Sequence, residues 1–249
     1  MSSKRQLLDR LFQLAAPGVV EQHRPPAVRL ADGVWSLERH LRMPGGPILP
    51  TRTAIVRLSS GGLVVISPPP AHEESFAAID ALGSVEALLA PSSFHYLYVA
   101  DAVRRYPSAK LYLAPGLQDR IASLPPGADL ATAPVSADFD QAIIDSRRGM
   151  SEVILFHRAS RILILTDCAF NLVHVERAFD RMFWRLFGVP AEFGPSRTAR
   201  MTLLSSPEGV GETLQRVLTW PFERILVAHG DIVQTDARSR FERAFARYL

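Results

Sequence analysis

The stretch "VEALLAPSSFHYLYVADAVRRYPSAKLYLAP", residues 85–115, decides the fold. It begins with an apolar run that is typical of a strand, and it continues through a polar loop that contains His95. The segment "VADAVRRYP" predicts a helix that ends before Pro107, because the residue before a proline avoids the helical conformation. The run "KLYLAP" predicts a second strand. A strand, a helix and a strand in this order indicate an α/β protein.

The same kinds of element recur on both sides of this stretch. Short strand-like runs precede it, followed by a helix from about Ala71 to Gly83. Three strand-like runs come after it, then helices, a last strand and a terminal helix from about Thr235. Strands with helices between them, twice over, predict an α/β fold, a four-layer αββα sandwich of two mixed sheets with the helices outside. The later strand-like runs are "QAIIDSR", "SEVILFHRAS", "RILILTDCAF" and "RILVAHGD".

The chain has 249 residues, of which 47% are hydrophobic and 21% charged, as in an ordinary globular protein. We expect residues 26–249 to form a single domain. Residues 1–25 are predicted to be an N-terminal amphipathic helix and a linker that ends at the proline-rich break "HRPPA". We expect this helix to pack on its own domain, with peripheral membrane contact as the alternative.

Charge and composition exclude several classes of partner. The formal net charge is +3 and the arginines are scattered along the chain, which predicts no nucleic-acid binding. No apolar run approaches the ~20 residues of a transmembrane helix. Cys168 is the single cysteine, so no intrachain disulfide can form and a cytoplasmic location is the simplest interpretation.

Three short motifs lie at the predicted ends of strands, where open sheets tend to place their ligand sites. They are "SSFHYLYVAD", "LTDCAFN" and "VAHGD", and they offer His95, Asp167 and His229. Asp231 follows His229 by two residues, and we expect it to orient the imidazole. The interpretation is that these four residues are the catalytic candidates, and that the first three are the candidate metal ligands.

The order of elements and these motifs resemble the metallo-β-lactamase superfamily. The stretches "VISPPPAHEE", "SEVILFHRASRILILTDCAFN" and "LTWPFERILVAHGD", together with the opening one, are similar to a degenerate offshoot of that superfamily, a bacterial and plant domain of unknown function. The resemblance covers about residues 28–235.

The resemblance implies a reduced set of metal ligands. The family motif H-x-H-x-D-H falls on Ser93, His95, Leu97 and Tyr98, so only His95 keeps a ligand side chain. The family's middle histidine falls near Arg147 or Arg148, where this chain has no histidine.

Asp167 and His229 match the family's bridging aspartate and final histidine. Because the three remaining positions serve different metals in the family, we expect a single ion to lie off-centre. An arginine or Tyr98 that fills the space would replace the metal altogether.

Two functions remain open. The favoured hypothesis is a degenerate metal site and non-catalytic binding of an unknown small molecule or protein in the remodelled cleft, with no cofactor. The alternative is a metal-dependent hydrolase of a small ester, thioester or lactone-like substrate, with one Zn, Fe or Mn ion held by His95, Asp167 and His229. A metal-free hydrolase that uses Ser92 or Ser93 with His95 is a weaker alternative.

The segment "MFWRLFGV" adds a hypothesis about partners. Met182, Phe183, Leu186 and Phe187 recur at helical spacing and form one apolar stripe. Core packing is the default interpretation. An exposed subset would indicate a homodimer face or a groove for a lipid or another hydrophobic ligand.

Overall fold

A computed structural model describes residues 18–19, 26–132, 135, 137–146 and 149–249, with the backbone alone at 18–19 and 207–208. The predicted N-terminal helix lies outside the described residues, and so do Arg147 and Arg148. The predicted linker contains a two-residue strand, Gly18–Val19, which pairs with the main sheet.

The larger sheet is mixed. Its order is β1-β3-β4-β5-β6-β7-β8, with β2 paired to β3. The pairs β3–β4 and β4–β5 are antiparallel, whereas β5–β6, β6–β7 and β7–β8 are parallel. The strands are β1 (Gly18–Val19), β2 (Val28–Ala31), β3 (Val34–Arg42), β4 (Ile48–Arg57), β5 (Leu63–Ile66), β6 (Val85–Ala90), β7 (Lys110–Leu113) and β8 (Ala128–Asp129).

The smaller sheet has the order β12-β11-β10-β9. Its strands are β9 (Phe139–Asp145), β10 (Ser151–His157), β11 (Ile162–Leu165) and β12 (Arg224–Val227). The β10–β11 pair is the hairpin predicted at "RASR", and it is antiparallel. Since β11 and β12 run parallel, the loops that follow them leave the same edge of the sheet.

The two sheets pack face to face through a shared apolar core. Val64 and Leu89 of the larger sheet belong to the same buried cluster as Leu155, Ile164 and Leu226 of the smaller one. These strands are rich in β-branched and aliphatic residues and are buried on both faces, which explains their nearly continuous apolar sequences. Because the faces of the sheets are filled by the core, a binding site can form only at the loops that follow the strand ends.

Helices cover both outer faces. Ile79, Val99 and Leu117 pack on the outside of the larger sheet, while Leu214 and Phe241 pack on the outside of the smaller one. The predicted four-layer αββα sandwich of two mixed sheets is confirmed. The helices are α1 (Glu73–Asp80), α2 (Val99–Arg105), α3 (Leu117–Arg120), α4 (Ala178–Leu186), α5 (Arg197–Met201), α6 (Pro207–Leu218) and α7 (Ala237–Phe245).

Helix boundaries are the part of the sequence prediction that needs correction. The first helix begins at Glu73 rather than near Ala71 and ends at Asp80 rather than Gly83, whose φ of +144° is incompatible with a helix. The terminal helix begins at Ala237, because Asp236 before it adopts a left-handed conformation. Within the described ranges, none of the helices combines the length and apolarity needed to cross a bilayer.

Candidate metal centre and pocket

His95, Asp167 and His229 converge at one point, in the loops that follow β6, β11 and β12. The Nε2 atoms of His95 and His229 are 3.3 Å apart. Asp167 Oδ2 lies 3.4 Å from His95 Nε2, and Asp167 Oδ1 lies 3.5 Å from His229 Nε2. One donor atom from each residue lies within 4.8 Å of the other two, and each imidazole faces its own oxygen of the Asp167 carboxylate.

These donor atoms are close enough to share one metal ion. A tetrahedral site with bonds of about 2.0–2.1 Å, as zinc forms to histidine and carboxylate, has edges of about 3.3–3.4 Å. The 3.3 Å between the two Nε2 atoms matches that edge, and each Nε2 atom lies 3.4 or 3.5 Å from one of the two Asp167 oxygens. The expectation that one ion would lie off-centre between two former sites stays a prediction, although the candidate donor atoms of all three residues lie close together.

The His229 ring is fixed for ligation by its backbone surroundings. Its Nδ1 lies 2.9 Å from the carbonyl oxygen of Pro50 in β4. A carbonyl only accepts hydrogen bonds, so Nδ1 carries the proton and the Nε2 lone pair faces the centre. The Phe170 ring stacks on the imidazole at a centroid distance of 4.9 Å. Gly230, with φ +97°, lets the chain turn where a Cβ would clash with the Asn171 carbonyl.

Asp231 does not have the role that the sequence suggested. We expected it to orient His229, but its Oδ2 accepts hydrogen bonds of 3.0 Å from the backbone nitrogen and ring Nδ1 of His174. The carbonyl of Pro50 takes the orienting position instead. The physical reason is the turn at Gly230, after which Asp231 bonds to the loop that follows β11.

Asp167 is held by a hydroxyl and by its own backbone. The Ser92 hydroxyl, fully buried, donates to Asp167 Oδ2, the oxygen that also faces His95. The backbone nitrogens of Thr166, Asp167 and Cys168 all donate to the Glu152 carboxylate at 2.8 Å. These bonds fix both the side chain and the loop of the central carboxylate.

Glu152 is a residue that the sequence analysis missed. It lies in β10 and has no solvent exposure, and its three backbone donors replace water. Burial raises the pKa of Glu152, and the nearby Asp167 carboxylate raises it further. An acidic residue inside the apolar run "SEVILF" was the available signal, because a carboxylate is fully buried only when it has partners.

The loop of His95 is joined to the start of β10. The Ser93 nitrogen donates to the Ser151 carbonyl, and the Ser151 nitrogen donates to the Ser93 hydroxyl, both at 2.9 Å. The Val153 nitrogen donates to the Pro91 carbonyl at 2.7 Å. The loop that carries His95 is thus bound to the strand that carries Glu152.

Serine chemistry finds no support in this geometry. In the metal-free alternative, His95 would act as the base of Ser92 or Ser93. The Ser92 hydroxyl instead donates to Asp167, and the Ser93 hydroxyl accepts from the Ser151 nitrogen. Both serines serve the structure of the loops, so the metal-free alternative loses its central contact.

Leu97 and Tyr98, at two other positions of the family motif, do not belong to the candidate metal centre. Leu97 is 39% exposed. Tyr98 faces the pocket with a buried phenol oxygen that has no hydrogen-bond partner among the described residues. Burial, together with Asp101, raises the pKa of Tyr98 to about 12, so the phenol is neutral. Tyr98 does not fill the space between the three candidate ligands, and Arg147 and Arg148 lie outside the described residues.

Without an ion, the pKa values of His95 and Asp167 are displaced in opposite directions. Burial disfavours the imidazolium of His95, but Asp167 outweighs it and the pKa of His95 is raised. Burial likewise opposes ionisation of Asp167, yet the two histidines hold its pKa well below the usual range. A cation between these groups would take over the place of a proton.

A partly buried ion pair between Arg52 and Glu38 supports the loop of His229. Arg52 of β4 donates to the carbonyls of Val227 and Gly230, and to the Glu38 carboxylate. Glu38 also bonds to His40 Nε2 at 3.0 Å. Burial opposes the charge on Glu38, but His40 and Arg52 overcome it and lower its pKa. Arg52 thereby joins β3, β4 and the end of β12.

A large pocket opens in front of the three candidate ligands. Its volume is about 630 Å³, within the range of sites that enclose a drug-sized ligand. Most of its lining is apolar. His95, Asp167 and His229 lie on its wall, and its apolar side chains include Leu41, Leu49, Phe94, Met150, Phe170, Trp184, Phe187, Val189 and Leu203.

Two arginines bring positive charge to the lining of the pocket. Arg39 is 2% exposed and donates from Nε to the Ser75 hydroxyl at 2.9 Å. Arg120 donates from Nη2 to the Ser93 carbonyl at 2.9 Å and lies over the Phe94 ring. The pocket therefore combines a mostly apolar lining with two arginines and the candidate metal centre.

Comparison with known families gives one match by sequence. Residues 31–193 match the family described as Domain of unknown function (DUF4336). No curated protein matches the chain.

Comparison with solved structures identifies the fold. A metallo-β-lactamase from Pontibacter korlensis aligns with a TM-score of 0.58 and 14% identity, over 88% of this chain and 98% of that one. The mono-zinc form of the metallo-β-lactamase FIM-1 from Pseudomonas aeruginosa aligns with a TM-score of 0.56 and 10% identity, over 90% and 96%. The metal-soaked Flv1 flavodiiron core from Synechocystis sp. PCC6803 reaches 0.60 and 11%, over 94% and 61%. Such low identities show the fold alone, and they confirm the resemblance read from the sequence.

Proposed function

The chain belongs to the family described as Domain of unknown function (DUF4336) and has the metallo-β-lactamase fold, and on that premise we propose that it is a metal-dependent hydrolase with a single ion. His95, Asp167 and His229 hold the ion. The observation that carries this proposal is the convergence of the two Nε2 atoms, 3.3 Å apart, on the Asp167 carboxylate, whose two oxygens lie 3.4 and 3.5 Å from them. The sequence favoured a non-catalytic protein; the convergence of the three candidate ligands supports the hydrolase alternative.

The donor set is compatible with Zn, Fe or Mn, because two histidines and one carboxylate are used for all three. A mono-zinc form on the same fold, in FIM-1, supports the single-ion proposal. When bound, such an ion supplies a Lewis acid that polarises an acyl carbonyl and makes water nucleophilic near neutral pH. The reaction class that fits is hydrolysis of an ester, thioester or lactone.

The chain's own residues position the reacting groups. The carbonyl of Pro50 keeps the Nε2 lone pair of His229 directed at the centre, and Ser92 and Glu152 fix Asp167. Phe170 and Phe94 line this end of the pocket with apolar rings. A site whose ligands lie at strand ends and are held by further hydrogen bonds is pre-organised for its substrate.

The pocket selects the substrate in this proposal. Its volume of about 630 Å³ and its apolar lining suit a bulky hydrophobic acyl group, larger than the small substrate expected from the sequence. Arg39 and Arg120 add attraction for an anionic or strongly polar end of the ligand. A cytoplasmic location remains part of the proposal, supported by the single cysteine, Cys168, in the core.

The test is hydrolysis of a series of p-nitrophenyl esters and acyl thioesters of increasing chain length by the zinc-, iron- and manganese-loaded protein. We expect kcat/KM to rise with acyl length, and we expect activity to be lost in His229→Ala. The matched control is His174→Ala, whose ring is exposed and outside the centre. A protein that holds one ion but hydrolyses none of these compounds would contradict the proposal.

A second candidate is non-catalytic binding of a hydrophobic ligand. It is favoured by Ser93, Leu97 and Tyr98, which occupy the positions where the family motif places ligands. Fatty acyl probes would then bind with equal affinity to the metal-loaded and the metal-free protein, and none would be turned over. An affinity that depends on the ion would favour the hydrolase instead.

A further inference from the structure

Helix α4 presents an unusual apolar face to solvent. Phe179, Met182 and Leu186 are three and four residues apart, so they lie side by side along the helix. They are 43%, 57% and 68% exposed, which is uncommon for large apolar side chains. We refer to these three residues as the apolar face of α4.

The orientation of α4 is fixed by polar contacts on its opposite side. The Trp184 indole donates to the Ile48 carbonyl at 2.8 Å, and the Asp180 carboxylate accepts from the Ile48 nitrogen at 3.2 Å. Asp180, the one acidic residue within α4, is buried. The apolar face therefore points outward because β4 holds the polar side of the helix.

Basic residues flank the apolar face. Arg177, Arg181 and Arg185 are all exposed. Residues 177–187 contain one carboxylate, that of Asp180, and it is buried near Arg177. An apolar stripe beside exposed arginines is the pattern of a helix that lies in the interface of an anionic lipid surface. The arginine stems can extend past the apolar side chains while their guanidinium groups contact phosphate.

The apolar face also adjoins the pocket. Trp184 and Phe187 line the cavity from its α4 side, and the Phe183 ring stacks on Phe187 at a centroid distance of 4.4 Å. Phe183 in turn lies 6.2 Å from Phe179 on the apolar face. An apolar ligand that moved from a lipid surface into the pocket would pass a continuous series of aromatic side chains.

We propose that α4 docks on anionic lipid surfaces and that the pocket receives its hydrophobic ligand from there. A second copy of this chain is a poorer occupant of the same face. A twofold contact would place the same three arginines of both copies against each other, which repels. Docking does not depend on the metal centre, so it stands or fails separately from the proposed hydrolysis.

The experiment is sedimentation of the full chain with vesicles of phosphatidylcholine and with vesicles of phosphatidylcholine and phosphatidylglycerol. We expect binding to the anionic vesicles that weakens as salt is raised. Met182→Glu and Leu186→Glu should each lower the partition coefficient by about tenfold or more, because each removes a large apolar side chain from the lipid. Arg185→Glu should weaken binding to the anionic vesicles only.

Val28→Glu is the matched control, since Val28 is 51% exposed on β2 and does not line the pocket. It should bind vesicles as the wild type does, and all variants should keep the wild-type unfolding temperature. Absence of wild-type binding, or an equal loss in Val28→Glu, would overturn the proposal. A wild-type dimer that Met182→Glu dissociates would also overturn it, because the face would then belong to a second copy.

Discussion

Substitution of Ser92 by alanine is the prediction that tests the support of the metal centre. The hydroxyl donates to Asp167 Oδ2 and accepts from the Phe94 nitrogen at 3.2 Å, so alanine removes two contacts in a site without solvent. A hydrogen bond to a charged group contributes about 1.5–3 kcal/mol. Asp167 would lose the contact that sets its side-chain orientation.

Ser92→Ala should weaken metal binding because Asp167 is no longer held in place. Loss of a residue that orients a ligand lowers metal affinity by about 10–100-fold, which corresponds to about 1.4–2.7 kcal/mol and agrees with the value of the lost hydrogen bond. Because a ligand in excess stabilises the fold by RT ln(1 + [L]/Kd), a thirtyfold weaker Kd removes about 2 kcal/mol of that stabilisation. The apoprotein should lose about 1–3 kcal/mol as well.

The assay is competition for zinc against a chelator, combined with urea unfolding of the zinc-loaded and chelated protein. Ser93→Ala is the control, because the Ser93 hydroxyl is also buried but bonds to the Ser151 nitrogen. It should lower stability with little change in zinc affinity. Equal zinc affinity in Ser92→Ala and the wild type would refute the account of how Asp167 is held, and so would an equal loss in Ser93→Ala.

Two further predictions concern buried charges. In the metal-free protein, the pKa of His95 is raised above its ordinary 6.5. The stability that comes from its pairing with Asp167 is therefore complete below pH 6.5 and is lost as the pH rises through the raised pKa. Urea unfolding with chelator, from acid to alkaline pH, should show this decline in the wild type and a smaller decline in His95→Gln. Glu38→Gln leaves the Arg52 guanidinium without its carboxylate, so we expect a loss of about 2–3 kcal/mol in urea unfolding, whereas a loss below about 0.5 kcal/mol would mean that the pair is effectively screened.

The sequence predicted the layers of the fold because its strands and helices have clear hydrophobic periods. The run "ILIL" of β11 is short and contains β-branched residues, which favours a strand, and the apolar spacing of α2 favours a helix. Helix ends were less certain, because Asp236 and Gly83 end elements by their backbone conformation. Such conformations depend on tertiary contacts that a single sequence does not show.

The candidate ligands were predictable, whereas their supporting contacts were only partly so. His95, Asp167 and His229 each follow a strand, which placed them at one edge of the structure. The partner of His229 is the backbone carbonyl of Pro50, 179 residues away in sequence, and no side chain marks it. For that reason the nearby Asp231 was chosen wrongly. Glu152 left a signal in sequence, a charge within an apolar strand, but its three bonds depend on the β10–β11 pairing.

Metal content is the most direct measurement of the central claim that His95, Asp167 and His229 form one metal site. Untagged protein purified without chelator, and apoprotein reconstituted with zinc, iron or manganese, would be analysed by elemental mass spectrometry. The account predicts one ion per chain in the wild type and in His174→Ala, and none in His95→Ala, Asp167→Asn or His229→Ala. Wild-type protein without metal after reconstitution, or an ion retained in all three ligand variants, would contradict it.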